Sequence, residues 1–265
     1  MSELWLRRST PSDLELLPAR TTPILLSDEQ RRSFSERMRQ IPTTSPRRLD
    51  AWGVERGGRP DLPFTWTATT ARRIIGTRAA QRHNSSRESI LEAVRDEIAD
   101  QLIIASSGRS RSGSLAHWLA NASHPGLGLI TAEAVNWATQ LLEASTLFGD
   151  STHLCRSDAY YNISGASTTL RGRRDLLLPS TEGRVVVRVR SGAPGPSAGA
   201  GLRTDLFIDA LAHPEGEAAQ QFIGLWPDAG LLLLVEGTVE NLRAGARSLL
   251  RGAVVQRRRE LAPVA

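Results

Sequence analysis

Apolar positions along this chain recur in two rhythms. A helical spacing of three and four dominates up to about residue 148, and strand-like runs dominate after it. Residues 69–82 read as a helix with arginines on several sides. Ser85 with Glu88 forms a capping-box pattern before Ile90, Leu91, Val94, Ile98 and Leu102, which trace one apolar face. A Ser/Gly/Arg loop over 106–114 leads to a short helix at 115–120. A longer helix follows over 131–147, with Val135, Ala138, Leu141 and Leu142 on one side and Glu133 and Glu143 as its carboxylates. Three strands are expected around 160–163, 168–178 and 184–190, the last carrying Val185, Val186 and Val187. Beyond a loop of glycine, proline, serine and alanine over 191–201 come a helix at 202–212, strands at 221–226 and 231–235 joined by the turn 227–230, and a closing helix over 239–258.

The first 68 residues differ. Pro11, Pro18, Pro23, Pro42, Pro46, Pro60 and Pro63 punctuate them. One helix stands out, where Ser27 and Gln30 form a capping box and Phe34, Met38 and Ile41 follow at spacings of four and three. One stripe of three apolar residues cannot build its own core, so 1–68 reads as an arm carrying one helix, with Trp52 as an anchor in the loop 42–63. Residues 69–265 then read as a single domain with a helical part (69–148) and a sheet part (149–265). The expected fold class is α/β of the mixed α+β kind: a helical N-terminal half and a central mixed sheet of about five strands flanked by helices.

Composition narrows the chemistry. The strongest apolar run, 231–235, is far shorter than the ~20 residues a membrane helix needs. Residues 1–18 are broken by charges where a signal peptide needs an apolar stretch, so no membrane is expected and the cytoplasm is the expected location. Cys155 is the only cysteine, and His83, His117, His124, His153 and His213 fall at no metal-ligand spacing, which argues against a zinc site. All 33 basic residues are arginine, so mechanisms that need a lysine amine are excluded: Walker-A phosphate binding, Schiff bases and Ser-Lys dyads. The net charge of +5 therefore rests on guanidinium groups, which bind phosphate bidentately. No GxGxxG follows a strand in the glycine-rich loop, and Ser164 lacks the glycine flanks of a nucleophile elbow.

The most informative segment is 170–192, LRGRRDLLLPSTEGRVVVRVRSG: an aspartate in a strand, a turn at 179–183, and a second strand ending in two polar residues at alternate positions before a glycine. This layout, with a carboxylate-bearing helix before it and a Leu/Ala-rich helix and strand pair after it, resembles the RecB-like branch of the PD-(D/E)XK nuclease superfamily over roughly 131–258. The resemblance implies a Mg²⁺-dependent phosphodiesterase core in which acids of both motif strands hold the metal. Asp175 matches the first acid. Arg188 stands where the second acid belongs, Arg190 where the motif lysine belongs, and Glu133 (or Glu143) would be the helical carboxylate. Were the core active, Asp175 and Glu133 would be the metal ligands, and Glu182, Asp205 or Asp209 could supply a migrated carboxylate.

A fixed cation at position 188 removes a ligand and repels the metal, so the pattern predicts a degenerate, non-cleaving member without a cofactor. Arg188 and Arg190 share a strand face that Asp175 can meet from the neighbouring strand, so an ion pair would fill the metal's place. Two readings of the basic cluster stand beside each other. One is a salt-bridged sheet. The other is a retained polyanion surface made of Arg171, Arg173, Arg174, Arg188 and Arg190. In the last helix Arg243, Arg247 and Arg251 repeat every four residues, and such a row can meet phosphates or simply be a solvated face. The leading expectation is a nucleic-acid-binding or complex-assembling subunit in DNA processing, with RNA as the alternative polyanion. Against it stand an active nuclease and a scaffold that binds a partner protein through 1–68.

Overall fold

The computed structural model describes residues 3–7, 26–43, 47–51, 68–86, 88–111, 114–149, 152–155, 158–178, 184–190, 192–213 and 218–261. Trp52, Glu182 and the turn at 179–183 lie outside the described residues. The chain divides into two compact units, one of residues 62–147 and one joining 1–61 to 148–265. The segment read from sequence as an arm with one helix contributes two strands as well as that helix to the second unit.

Strand β1 (Glu3–Arg7) is an edge of the larger sheet, helix α1 (Asp28–Arg39) carries the expected Ser27–Gln30 capping box, and strand β2 (Arg47–Asp50) is an edge of the smaller sheet. The helical unit comprises α2 (Ala68–Ser86), α3 (Ile90–Ser106), α4 (Leu115–Ala120) and α5 (His124–Leu147). Ala71, Ile75, Val94, Ile98, Leu119 and Ala134 lie in its core. The capping box before α3 is Ser89–Glu92 rather than Ser85–Glu88, because α2 runs on through Ser85, whose hydroxyl donates back to the carbonyls of Gln81 and Arg82. Helix α5 starts seven residues earlier than expected. Ser123 accepts the Gly126 N–H and Pro125 occupies the first turn, where a missing N–H costs nothing, so the glycines and the proline there do not break the helix.

In the sheet unit, β3 (His153–Leu154), β4 (Ala159–Asn162), β5 (Thr168–Gly172), β6 (Leu176–Leu178) and β7 (Arg184–Val189) precede α6 (Ala198–Ala212). Strands β8 (Ala219–Trp226) and β9 (Leu231–Glu236) and helix α7 (Val239–Leu261) complete it. The six-stranded sheet runs β1-β9-β8-β7-β6-β3 and the three-stranded sheet β2-β5-β4. In the larger sheet only β7 and β8 are parallel, joined through α6, so the fold is a mixed α+β arrangement as expected, with one strand more than the five foreseen. The expected strand 168–178 is two strands in different sheets. At the break, the N–H groups of Arg173 and Arg174 leave strand pairing and donate to Asp205 and Asp158.

In β7, β8 and β9 the residues on both faces of the sheet are buried, which is why 185–187 and 231–235 read as apolar runs. On one face Val186, Phe222, Trp226, Leu233 and Val235 pack with Leu202 and Leu206 of α6 and Leu242 and Leu249 of α7. Burying a side chain such as Phe222 fully is worth about 1.5–3 kcal/mol. Gly224 is needed here: a Cβ would lie 2.5 Å from the Trp226 ring, which folds back over it. Two buried arginines serve carbonyl groups. Arg31 donates to the carbonyl of Leu211 near the end of α6 (2.8 Å), and Arg47 donates to that of Ile41 past the end of α1 (2.9 Å). Burial lowers the pKa of Arg47, with Glu260 opposing the shift.

Candidate functional site

Asp175 sits just before β6, where its backbone is held on both sides. Its N–H donates to the Val187 carbonyl at 3.1 Å, and its carbonyl accepts the Cys155 N–H at 2.9 Å. The carboxylate is thereby aimed at β7. One oxygen accepts the Val189 N–H at 3.0 Å and the Arg188 Nε at 3.2 Å. Arg188 lies opposite Gly224 in the parallel register, on the sheet face that α6 covers. Its second donor, Nη1, meets Asp205 of α6, whose other oxygen accepts the Arg173 N–H at 2.9 Å. The Arg188 side chain is only 5% exposed, and those of Asp175 and Asp205 are 1% and 0% exposed. A buried guanidinium thus bridges two buried carboxylates, one from the strand system and one from the helix.

The surrounding arginines are matched in the same way. Arg171 meets Asp158 at 2.7 and 2.6 Å. Although burial works against its cation, that carboxylate holds the Arg171 pKa above its ordinary value. Arg173 lies 3.5 Å from Asp50 of β2. Arg174 donates to Asp209, one turn beyond Asp205, and contacts His213. The second Asp209 oxygen accepts the Ala219 N–H at 2.7 Å and so ties α6 to the start of β8. Four arginines, 171, 173, 174 and 188, therefore face five aspartates, 50, 158, 175, 205 and 209. Apart from Asp175, the acids that answer these arginines come from outside 171–190.

The remaining sequence candidates fall elsewhere. Arg190 lies over the Trp226 ring, 5.9 Å from its centroid, and is half-buried. Glu133 belongs to the helical unit and pairs with Arg72 at 3.6 Å, and Glu143 is exposed on the same helix. Of the acids considered as a migrated ligand, Asp205 meets Arg188 and Asp209 meets Arg174. Arg243, Arg247 and Arg251 are exposed on α7 and form no ion pair with any described residue.

Asp50, Asp158 and His213 were not foreseen as parts of the cluster. The signal available in the sequence was the pair Asp205 and Asp209, two acids one helical turn apart inside the otherwise apolar stretch 205–212, where acids are rarely buried without partners. Tyr161 packs inward with its hydroxyl 3.3 Å from Ser35 while Tyr160 is exposed, the division expected of adjacent strand residues.

The arrangement does not suit a divalent metal. Asp175 and Asp205 are already engaged by Arg188, whose fixed charge would repel the ion. Among the described residues no group of three or more His, Cys, Asp or Glu converges as ligands. Nor does it suit a thiol nucleophile: burial, and then the Asp175 carboxylate, push the Cys155 pKa up to about 12, so the thiol stays protonated near neutral pH. No described helix is long and apolar enough to cross a membrane. Compared with known proteins, the chain matches no protein-family model and no curated protein.

Proposed function

We propose that this chain is a non-cleaving relative of the RecB-like nucleases that works in nucleic-acid processing as a binding or assembling subunit, its metal position filled by an arginine. The observation that carries the reading is the Arg188 guanidinium, buried and held between Asp175 and Asp205 where the motif expects a second acid. The order of the β6–β7 hairpin, α6, then the strand pair β8 and β9 supports it, since this is the element order the resemblance implies.

A cation that cannot deprotonate at workable pH can hold two carboxylates together, but it cannot polarise a phosphate as a bound metal does or generate a hydroxide from water. The cluster therefore keeps the geometry of the sheet and gives up hydrolysis. Four of the five strand arginines expected to touch nucleic acid are engaged with aspartates, so any polyanion contact falls to other arginines.

The test is cleavage of supercoiled plasmid, linear duplex and single-stranded substrates by the full chain with Mg²⁺ or Mn²⁺. No cleavage above a protein-free control is expected. Metal-dependent cleavage that disappears in a folded Asp175→Asn variant overturns the reading.

A further inference from the structure

We infer that the exposed stripe of α7, formed by Arg243, Arg247, Arg251 and Arg258, is a docking surface for the phosphate backbone of a nucleic-acid duplex. The inference rests on the preceding reading for the class of partner, and it names a surface in place of the strand arginines.

The argument begins with angular positions. At 100° per residue, positions 243, 247, 251 and 258 fall within about 80° of one another on the helix surface, and the structure leaves all four exposed. The opposite side, with Leu242, Leu249 and Ala253, is buried in the core of the sheet unit, so the helix is held and its outward face is preset. Four guanidiniums then span fifteen residue steps of a rigid rod, about 22 Å at 1.5 Å per step.

Their electrostatic situation separates them from the other arginines of the unit. Arg171, Arg173, Arg174 and Arg188 each lie against a partly or fully buried aspartate, whereas Arg243, Arg247, Arg251 and Arg258 form no ion pair with a described residue. One acid, Glu240, shares the start of the stripe. A row of like charges one turn apart repels itself, and an external polyanion relieves that repulsion.

The face also indicates which nucleic acid. Residues 239–261 contain no aromatic side chain, so the stripe has no platform on which unstacked bases could lie. Contacts limited to phosphates position a backbone without reading bases, which suits a duplex and predicts binding without sequence preference.

The experiment is fluorescence anisotropy of a labelled DNA duplex with the full chain across a salt series. The proteins are the wild type, an Arg243→Gln/Arg247→Gln/Arg251→Gln variant, and a control of equal charge loss at exposed positions elsewhere, Arg95→Gln/Arg109→Gln/Arg111→Gln. Three phosphate contacts weaken binding about 40-fold between 50 and 200 mM salt, and losing them lowers the slope of log K against log salt by about 2.7. The α7 variant is expected to show that loss and the control to keep the wild-type slope. Equal losses in both variants, an unchanged α7 variant, or wild-type binding to phosphatidylserine vesicles but not to duplex each overturns the inference. Cleavage by the wild type, in contrast, would defeat the non-cleaving reading and leave the docking surface standing.

Discussion

Replacing Arg188 by methionine removes a charge while keeping an unbranched side chain in its place, and the structure sets the cost. Asp175 and Asp205 are 1% and 0% exposed, so neither can turn to water when the guanidinium leaves. Breaking a buried pair by removing one partner costs about 3–5 kcal/mol. The Val189 and Arg173 N–H groups still satisfy one oxygen of each carboxylate, which places the expected value toward the lower end. Against a total stability of about 5–15 kcal/mol for a typical protein, this is a large fraction.

The sign with pH follows from the same geometry. In the variant the two buried carboxylates lose the Arg188 cation, and desolvation then works against their charged forms in the folded state. The deficit is then largest at neutral pH and shrinks as pH falls toward 5, because the folded variant takes up protons that the unfolded chain does not yet hold. The assay is urea denaturation followed by far-UV circular dichroism at pH 7.5 and 5.5. It also includes an Arg188→Met/Asp175→Asn/Asp205→Asn variant, which removes all three charges and should recover much of the loss. A cost below about 1 kcal/mol for Arg188→Met, or a triple variant less stable than the single one, refutes the clamp as the organising feature of the site.

Two further outcomes follow from local geometry. With its pKa raised to about 12 in the folded protein against an ordinary value of 9.0, Cys155 contributes stability that is fully present below pH 9 and is lost as pH rises toward 12. Iodoacetamide at pH 9 should therefore modify native protein far more slowly than urea-unfolded protein, and equal rates would contradict the burial argument. Ser89→Ala should cost about 1 kcal/mol because it removes the side-chain half of the capping box at α3, whereas Ser85→Ala, inside α2, should cost less in parallel thermal melts. The reverse order would return the helix boundary to Ser85.

Much of this protein was readable before its structure was known, where short-range physics decides. The helices α1, α3, α4 and α7 follow from apolar spacing, and α1 and α4 begin where expected. Strands β7, β8 and β9 follow from apolar runs that only a sheet buried on both faces can hold. The alternation of β7 also predicted that Arg188 could meet Asp175, because a strand period of two is a local property. Tertiary structure decided what depended on residues far apart in the chain. It split 168–178 between two sheets, since the side chains that draw off the Arg173 and Arg174 N–H groups belong to residues 205 and 158. It recruited β1 and β2 from a proline-rich stretch with too little apolar pattern to announce a strand. It also turned a run of arginines that counts as basic along the sequence into a neutralised cluster, because Coulomb attraction acts through space on Asp50, Asp158, Asp205 and Asp209, and their distances from those arginines are set by the fold.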